Sequence, residues 1–261
     1  YNSLMSDLFQ NADKSKRSTA YSAKDIEVLE GLEPVRRRPG MYIGGTDERA
    51  LHHLAAEVLD NAMDEAVAGH ASRIELELSG DNIVTIRDNG RGIPVDSHPK
   101  FKNKSALEVI LTTLHSGGKF SDKVYATSGG LHGVGLSVVN ALSDELEIEV
   151  SRDKLLYRQK YVRGKPKGRL SKGDPVHNRR GTTIRFHPDP DVFGENNRFK
   201  AATLFRMARS KAYLYRGVEI RWACEPRLVA AGNDDTPESA VLHFPGGLAD
   251  YLLSLIHISE P

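Results

Sequence analysis

The stretch Ser128-Gly-Gly-Leu-His-Gly-Val-Gly-Leu136 places four glycines within seven residues, directly before a helix predicted over residues 134–142. Glycines leave backbone N–H groups open at a helix N-terminus, where the unpaired donors and the helix dipole together attract anions. The spacing matches neither the Gly-x-x-x-x-Gly-Lys-[Ser/Thr] phosphate loop nor the Gly-x-Gly-x-x-Gly dinucleotide fingerprint. The stretch therefore predicts a phosphate-binding loop of another type, and a purely structural loop is the alternative.

An amphipathic helix is predicted upstream, from about residue 49 to residue 68, and Gly69 ends it. Glu57, Asn61 and Asp64 lie beside its apolar stripe, within about 60° of one another at ~100° per residue. A carboxylate and an amide oxygen at this spacing suit a water molecule and a hard cation such as Mg²⁺. A solvated polar edge of the helix is the alternative interpretation.

A third motif, Asp88-Asn-Gly-Arg-Gly-Ile-Pro94, follows a predicted β-hairpin of residues 74–78 and 83–86. A buried carboxylate at the end of a strand would accept a hydrogen bond from an exocyclic amine, and Gly90 and Gly92 would let a flat ring approach the backbone. Because Asp-Asn-Gly is also a common turn sequence, a tight turn is the alternative.

The remaining pattern decides the fold class. Helices are predicted over residues 106–114 and 198–213, and strands over residues 145–151, 156–162, 182–186 and 218–222. Early helices and strands followed by a run of strands predict an α+β fold, a two-layer sandwich with helices on one face of a mostly antiparallel sheet. The absence of βαβ alternation argues against a dinucleotide-binding Rossmann domain.

The amino-acid composition excludes several classes of protein and of binding site. The 261 residues are 39% hydrophobic and 27% charged, which is typical of a globular chain. With 36 Lys and Arg against 35 Asp and Glu, the net charge of +1 gives no bulk affinity for nucleic acid or membrane, so any basic surface would have to be local. The single cysteine, Cys224, excludes an internal disulfide or a cysteine-cluster metal site and fits a reducing, cytoplasmic environment. No apolar run approaches the ~18–20 residues of a membrane span.

Taken in order, the three motifs resemble the Bergerat (GHKL) ATP-binding fold shared by type II topoisomerase ATPase subunits, Hsp90, the mismatch-repair protein MutL and histidine kinases. The resemblance narrows to the B subunits of bacterial type IIA topoisomerases, which Tyr21 and residues 31–43, 114–120 and 128–142 match almost word for word. It extends over about residues 21–255. One segment, residues 198–220, looks more like the topoisomerase IV branch of this family than the gyrase branch.

The resemblance implies an ATP site with Mg²⁺. Glu57 would be the general base that orients the attacking water, Asn61 would hold Mg²⁺, and Asp88 would accept from the adenine amine. The nucleotide-binding residues implied in this way are Tyr21, Asn61, Asp64, Asp88, Arg91, Gly92, Ile93, Pro94, Lys119, Tyr125, Gly130, Leu131, His132, Gly133, Val134, Gly135, Leu136 and Thr182. Lys119 and Tyr125 belong to a predicted lid, residues 116–128, that glycine pairs flank.

The resemblance also implies a domain plan. Residues 1–24 would be a flexible arm whose Tyr21 reaches the partner's nucleotide in a homodimer formed on ATP binding. Residues 25–243 would be the ATPase domain, and residues 244–261 would begin a truncated transducer domain that ends in a non-native tail, 256–261. The chain carries no DNA-cleaving residues, so it is expected to be the ATPase part of an ATP-dependent type II DNA topoisomerase.

The implied partners are the topoisomerase A subunit, in a heterotetramer with two B subunits, and DNA through that complex. Aminocoumarin-type inhibitors would bind at Asp88, Arg91, Arg152 and Thr182, and no membrane is expected. The alternatives are a gyrase B ATPase domain, a MutL-like or Hsp90-like ATPase, a histidine kinase domain and a non-enzymatic nucleotide-binding module. A histidine kinase domain would usually lack a general base at the position of Glu57.

Overall fold

The computed structural model describes residues 29–116, 135–232 and 234–252. Its contacts divide the chain after residue 30, and everything below concerns the compact unit that begins at Gly31. The predicted arm, most of the predicted lid and the predicted tail lie outside the described residues.

The longest helix among the described residues is α3 (Glu48–Val67), and its capping follows from the sequence. Asp47 precedes it and accepts a hydrogen bond from the backbone N–H of Ala50 at 3.0 Å, which satisfies one of the free donors of the first turn. The helices are α1 (Glu33–Arg37), α2 (Gly40–Ile43), α3 (Glu48–Val67), α4 (Ala106–Thr112), α5 (Gly135–Ala141), α6 (Pro190–Phe193), α7 (Ala201–Leu214) and α8 (Pro226–Gly232). No helix within the described ranges is long and apolar enough to cross a membrane.

A large twisted sheet lies beneath these helices. Its strands are β1 (Arg73–Ser79), β2 (Ile83–Asp88), β5 (Ser143–Arg152), β6 (Leu155–Val162), β7 (Lys165–Pro166), β8 (Ser171–Pro175), β9 (Gly181–Pro188), β10 (Glu219–Cys224) and β11 (Ser239–Leu242). They follow the order β11-β10-β1-β2-β9-β5-β6-β7, with β8 also paired to β6. The short strands β3 (Ser97–His98) and β4 (Phe101–Ser105) pair separately.

Alternation along the strands separates the two faces of the sheet. In β1, Ile74, Leu76 and Leu78 are buried against the helices, whereas the intervening side chains face away from them. On that outer face opposite charges sit on neighbouring strands, as where Arg87 lies 3.6 Å from Glu75. One face therefore carries the core and the other is solvated.

The predicted α+β sandwich is confirmed. Pairing is antiparallel except between β1 and β10, which run parallel because α7 carries the chain back over the sheet before β10 begins. The predicted helix over 198–213 begins later, at Ala201, and the one over 106–114 ends earlier, at Thr112. The strands β3, β4, β7, β8 and β11 were not predicted, because short and mostly exposed segments carry no clear apolar alternation.

Candidate active site

Three polar residues follow one another up a single edge of α3. Glu57, Asn61 and Glu65 are spaced four residues apart, so they lie on successive turns of the helix. At 1.5 Å per residue, Glu57 and Glu65 are separated by about 12 Å along the axis. This edge therefore connects two places in the fold, one near the end of β2 and one near the start of α5.

The first place is built around Asp88, the last residue of β2. Its side chain is buried, and its Oδ1 accepts hydrogen bonds from the backbone N–H of Gly90 at 2.8 Å and of Thr182 at 3.4 Å. Burial raises the pKa of Asp88 to about 6, with a smaller contribution from the negative charge of Glu65, against the lowering effect of those hydrogen bonds. Both bonds use Oδ1, so the second oxygen remains available to a ligand.

The neighbouring Asn89 anchors the turn. Its Oδ1 accepts from the backbone N–H groups of Ser72 at 2.8 Å and Arg73 at 2.9 Å, which ties the turn to the start of β1. The interpretations of the motif as a turn and as a ligand site are therefore compatible. Asn89 stabilises the turn, and Asp88 keeps one carboxylate oxygen that can accept a hydrogen bond from a ligand.

Glycine is required where β9 approaches this turn. Gly181 has a φ of +108°, and a Cβ on it would come within 2.0 Å of the backbone oxygen of Asp88. A Cβ on Gly90 would come within 2.8 Å of both Asp88 Oδ1 and Glu65 Oε2. Close packing explains both glycines: Gly181 lies against the backbone of Asp88, and Gly90 lies against the carboxylates of Asp88 and Glu65.

Glu65 is a site residue that the sequence reasoning missed. Its Oε2 accepts from the backbone N–H of Arg91 at 3.0 Å and from Arg91 Nε at 3.2 Å, and its Oε1 accepts from Arg91 Nη2 at 2.7 Å. The four-residue spacing from Asn61 was the available signal. The predicted residue Arg91 is therefore held to α3 by this ion pair.

Two further contacts shape the loop after β2. Thr182 Oγ1 accepts from the backbone N–H of Ile93 at 3.3 Å. Arg152 Nη1 donates to the backbone oxygen of Gly92 at 2.9 Å. The loop residues 91–93 are thus held from three sides, by α3, β9 and the end of β5.

The second place lies at the other end of the α3 edge. Glu57 packs against the start of α5, where a Cβ on Gly135 would come within 2.1 Å of Glu57 Oε2. Glu57 Oε1 also lies 3.5 Å from His53 Nε2, one turn earlier on α3. A carboxylate is therefore placed beside the helix that the glycine-rich stretch opens.

The structure brings together Glu57, Asn61, Asp88, Arg91, Gly92, Ile93, Arg152 and Thr182 around these two places, with Gly135 and Leu136 as the first residues of α5. Asp64 is on α3 as predicted, on the same side of the helix as Glu57 and Asn61, and its side chain is buried. Pro94 is exposed beyond the loop. Tyr21, Lys119, Tyr125, Gly130, Leu131, His132, Gly133 and Val134 lie outside the described residues.

Comparisons with known proteins agree with this arrangement. The sequence model of the family "histidine kinase-, DNA gyrase B-, and HSP90-like ATPase" matches residues 46–192. The chain is 62% identical to the B subunit of DNA topoisomerase 4 from Caulobacter vibrioides over 232 residues, 89% of this chain and 33% of that protein. It is 49% identical to the B subunit of DNA gyrase from Haloferax volcanii, over 89% of this chain and 35% of that protein.

A solved structure is also similar. The 43K ATPase domain of Thermus thermophilus gyrase B, in complex with an aminocoumarin, superposes with a TM-score of 0.72 at 39% identity, covering 86% of this chain and 54% of that one. The chain spans about a third of the length of the curated relatives named above. Since the family model matches more than half of the chain, and that match includes α3, Asp88 and Thr182, the chain belongs to the histidine kinase-, DNA gyrase B- and HSP90-like ATPases.

Proposed function

We propose that this chain is the ATP-binding and ATP-hydrolysing domain of a topoisomerase IV B subunit. The observation that carries the proposal is the α3 edge, which presents a carboxylate at each end of one site. Glu65 borders the buried Asp88 at one end, and Glu57 borders Gly135 at the other. Glu57 and Glu65 are separated by about 12 Å along the axis of α3. This length is comparable to the distance between the nucleobase and the terminal phosphate of an extended nucleoside triphosphate.

At the first end Asp88 would recognise adenine. A buried carboxylate accepts from an exocyclic amine, and its low solvent exposure makes an unpaired donor there costly. Thr182, whose hydroxyl already accepts from Ile93, can donate its own proton to a ring nitrogen or to a bridging water. A pocket with one acceptor and one hydroxyl favours adenine over bases without an exocyclic amine.

At the second end Glu57 would act as general base. Its carboxylate lies beside the start of α5, the place where a helix N-terminus favours phosphate. A water between Glu57 and the terminal phosphate would be oriented and deprotonated as it attacks. His53, 3.5 Å from the other carboxylate oxygen, limits the orientations that Glu57 can adopt.

The residues present fit a magnesium ion. Mg²⁺ keeps several waters and is usually held by one or two protein oxygens together with the phosphates of the substrate. Asn61 lies between Glu57 and Glu65 on the same edge and offers one amide oxygen. Within the described ranges no three His, Cys, Asp or Glu side chains form a metal-binding group, so the fit is to an ion that arrives with the nucleotide. When bound, Mg²⁺ would neutralise phosphate charge.

The activity of the whole protein is part of the same proposal. The chain is 57–62% identical to B subunits of DNA topoisomerase 4 from several bacteria, against 49% to the Haloferax volcanii gyrase B subunit. As such a B subunit, the chain would dimerise on binding ATP. Tyr21, in the N-terminal arm of residues 1–24, would contact the nucleotide bound to the partner subunit. Together with the A subunit, in the bacterial cytoplasm, this dimerisation would drive DNA strand passage.

The aminocoumarin in the Thermus thermophilus structure extends the proposal to inhibitors. The pocket at Asp88 and Thr182 accepts a flat ligand that presents a donor beside an acceptor, and Arg91 and Arg152 lie at the loop that borders it. Such a ligand needs no Mg²⁺. We therefore expect this chain to bind an aminocoumarin, and Asp88→Ala to abolish that binding in calorimetry.

Calorimetry and sedimentation test the core of the proposal. A non-hydrolysable ATP analogue with Mg²⁺ should bind the 261-residue chain, whereas the GTP counterpart should bind at least tenfold more weakly because guanine presents a carbonyl to Asp88. Sedimentation of the same samples should show a larger species with the ATP analogue. Equal binding of the two analogues would contradict the assignment of Asp88.

A further inference from the structure

The charge of this chain is unevenly distributed. Residues 152–180 hold 11 of its 36 Lys and Arg residues but only two of its 35 Asp and Glu residues, Asp153 and Asp174. The rest of the chain is therefore acidic on balance, although the net charge of the whole is +1. We call residues 152–180 the basic edge, because they form β6, β7, β8 and the turns between them.

The basic edge lies along one margin of the large sheet. β7 pairs with Tyr161 and Val162, and β8 pairs with Leu155, Tyr157 and Arg158, so both short strands lie beside β6 on the side away from β5. At about 3.3 Å per residue, the eight residues of β6 make this margin roughly 26 Å long. Both β7 and β8 are exposed along their whole length.

Some cations of the basic edge are already neutralised. Arg158 and Arg179 share Glu149, where burial raises the pKa of that carboxyl but their hydrogen bonds outweigh it and lower the pKa. Lys160 lies 3.6 Å from Glu147, and Arg163 pairs with Asp189 at 3.0 Å. Carboxylates of the folded protein therefore compensate the charges of these four cations.

Other cations have no acidic partner within 4.0 Å in the part of the chain that the structure describes. They are Lys154, Lys165, Lys167, Arg169, Lys172 and Arg180. Arg180 instead donates to the backbone oxygens of Asn89 at 2.9 Å and His70 at 3.0 Å, which leaves its charge uncompensated. The positive charge is thus concentrated on exposed side chains, five of them on or beside β6, β7 and β8 and the sixth, Arg180, just before β9.

A cleft continues the basic edge at the end of β8. It has a volume of about 510 Å³, and its charged lining consists of Arg73, Arg87, Lys154, Arg179 and Arg180 with a single carboxylate, Asp153. A low-dielectric cleft lined by one sign of charge focuses its field on an oppositely charged ligand. The cleft therefore adds positive charge beside the turn between β5 and β6, where Lys154 lies.

We propose that the basic edge binds the phosphate backbone of duplex DNA, an inference that rests on the proposed function. Along roughly 26 Å, B-DNA presents about 15 phosphate charges at one per ~1.7 Å. Single-stranded nucleic acid would need exposed aromatic side chains on which bases stack. The aromatic residues of the basic edge are Tyr157 and Tyr161, both packed against the core, so the surface suits a duplex backbone rather than splayed bases.

Fluorescence anisotropy of a labelled 30-base-pair duplex, titrated with the 261-residue chain between 50 and 200 mM KCl, tests the proposal. The variant K165Q/K167Q removes two unpartnered charges on an exposed strand and the turn after it. Each phosphate contact contributes about 0.9 to the slope of log K against log salt, so the variant should reduce the slope by about 1.8. Its affinity at 50 mM KCl should fall by about tenfold or more.

The matched control is K100Q/K102Q. Lys100 and Lys102 are also exposed lysines at a short strand, and neither pairs with an acidic side chain of the described ranges. This control should retain wild-type affinity and slope. Equal losses in the two variants, or wild-type binding in both, would overturn the proposal.

Two further measurements identify the ligand and distinguish a failure of the DNA-binding proposal from a failure of the ATP-binding proposal. Poly-glutamate at the same charge concentration should not displace the duplex, and displacement would overturn the proposal in favour of an acidic protein partner. The titrations contain no nucleotide, so a failure of ATP binding leaves their result readable. Urea unfolding should give the same midpoint for K165Q/K167Q and wild type, which shows that the variant is folded without relying on nucleotide binding.

Discussion

Glu65 and Arg91 form a bidentate ion pair, with Oε1 to Nη2 at 2.7 Å and Oε2 to Nε at 3.2 Å. The pair joins the last turns of α3 to the loop after β2, which are 26 residues apart in sequence. It has two consequences. It holds the arginine beside the pocket in a fixed direction, and it places a negative charge close enough to Asp88 to contribute to its raised pKa.

Asp88→Asn should weaken binding of the ATP analogue more than tenfold. An amide in place of the carboxylate removes the negative acceptor and can present a donor to the adenine amine, which costs ~1–3 kcal/mol or more. Calorimetry of the two proteins at pH 7.5 measures the change. Asp81→Asn, at an exposed site, should bind like wild type, and unchanged affinity of Asp88→Asn would contradict the role of Asp88.

The same substitution should stabilise the fold at neutral pH. Folding raises the pKa of Asp88 from 3.8 to about 6, so the folded state loses stability as pH rises through this window and the carboxyl ionises in a buried site. Asp88→Asn lacks that penalty and should be more stable by up to about 3 kcal/mol at pH 7.5. Urea unfolding should show the advantage shrinking as pH falls toward 4; an advantage independent of pH would contradict the burial argument.

Glu57→Ala should bind the ATP analogue normally but lose turnover by ~10²–10⁴, because a general base acts in the transition state rather than in the bound ground state. Single-turnover phosphate release at high protein concentration measures the rate even where it is slow. Glu48→Ala is the control on the same helix, since Glu48 pairs with Lys200 instead. A wild-type rate in Glu57→Ala would make Glu57 a structural residue.

Glu65→Gln should lower the pKa of Asp88. The charge of Glu65 is one of the influences that raise that pKa, and glutamine keeps the shape of the side chain without the charge. Affinity for the ATP analogue, which requires the Asp88 carboxylate, should consequently persist to lower pH in the variant than in wild type. Calorimetry between pH 5 and 8 gives the two midpoints; a shift to higher pH would contradict the electrostatic coupling.

Gly181→Ala should destabilise the protein far more than Gly168→Ala. Both glycines have positive φ, +108° and +92°, but only at Gly181 would a Cβ meet backbone, 2.0 Å from the oxygen of Asp88. Gly168→Ala should cost about 1–2 kcal/mol from its backbone conformation alone. Gly181→Ala should cost about 3 kcal/mol or more, because β9 or the turn must also move. Urea midpoints compare the pair, and similar losses would contradict the close approach.

Several features of this protein were determined locally, and these were predicted from the sequence. The period of apolar residues set α3 to within a residue at each end, because a helix of 20 residues repeats its pattern many times. The hairpin of β1 and β2 and the position of Asp88 at its end followed from alternation and turn chemistry. The three motifs in order also predicted the family, which the comparisons confirm.

Tertiary structure alone decided which distant side chains meet. The Glu65–Arg91 pair and the approach of Gly181 to Asp88 join segments separated by 26 and 93 positions, and nothing in either segment alone specifies its partner. The parallel pairing of β1 with β10 likewise depends on how α7 crosses the sheet. The density of Lys and Arg in residues 152–180 is written in the sequence, but which of those charges are neutralised depends on carboxylates such as Glu149 and Asp189. Electrostatic compensation acts through space, so it is decided only once the strands are in register.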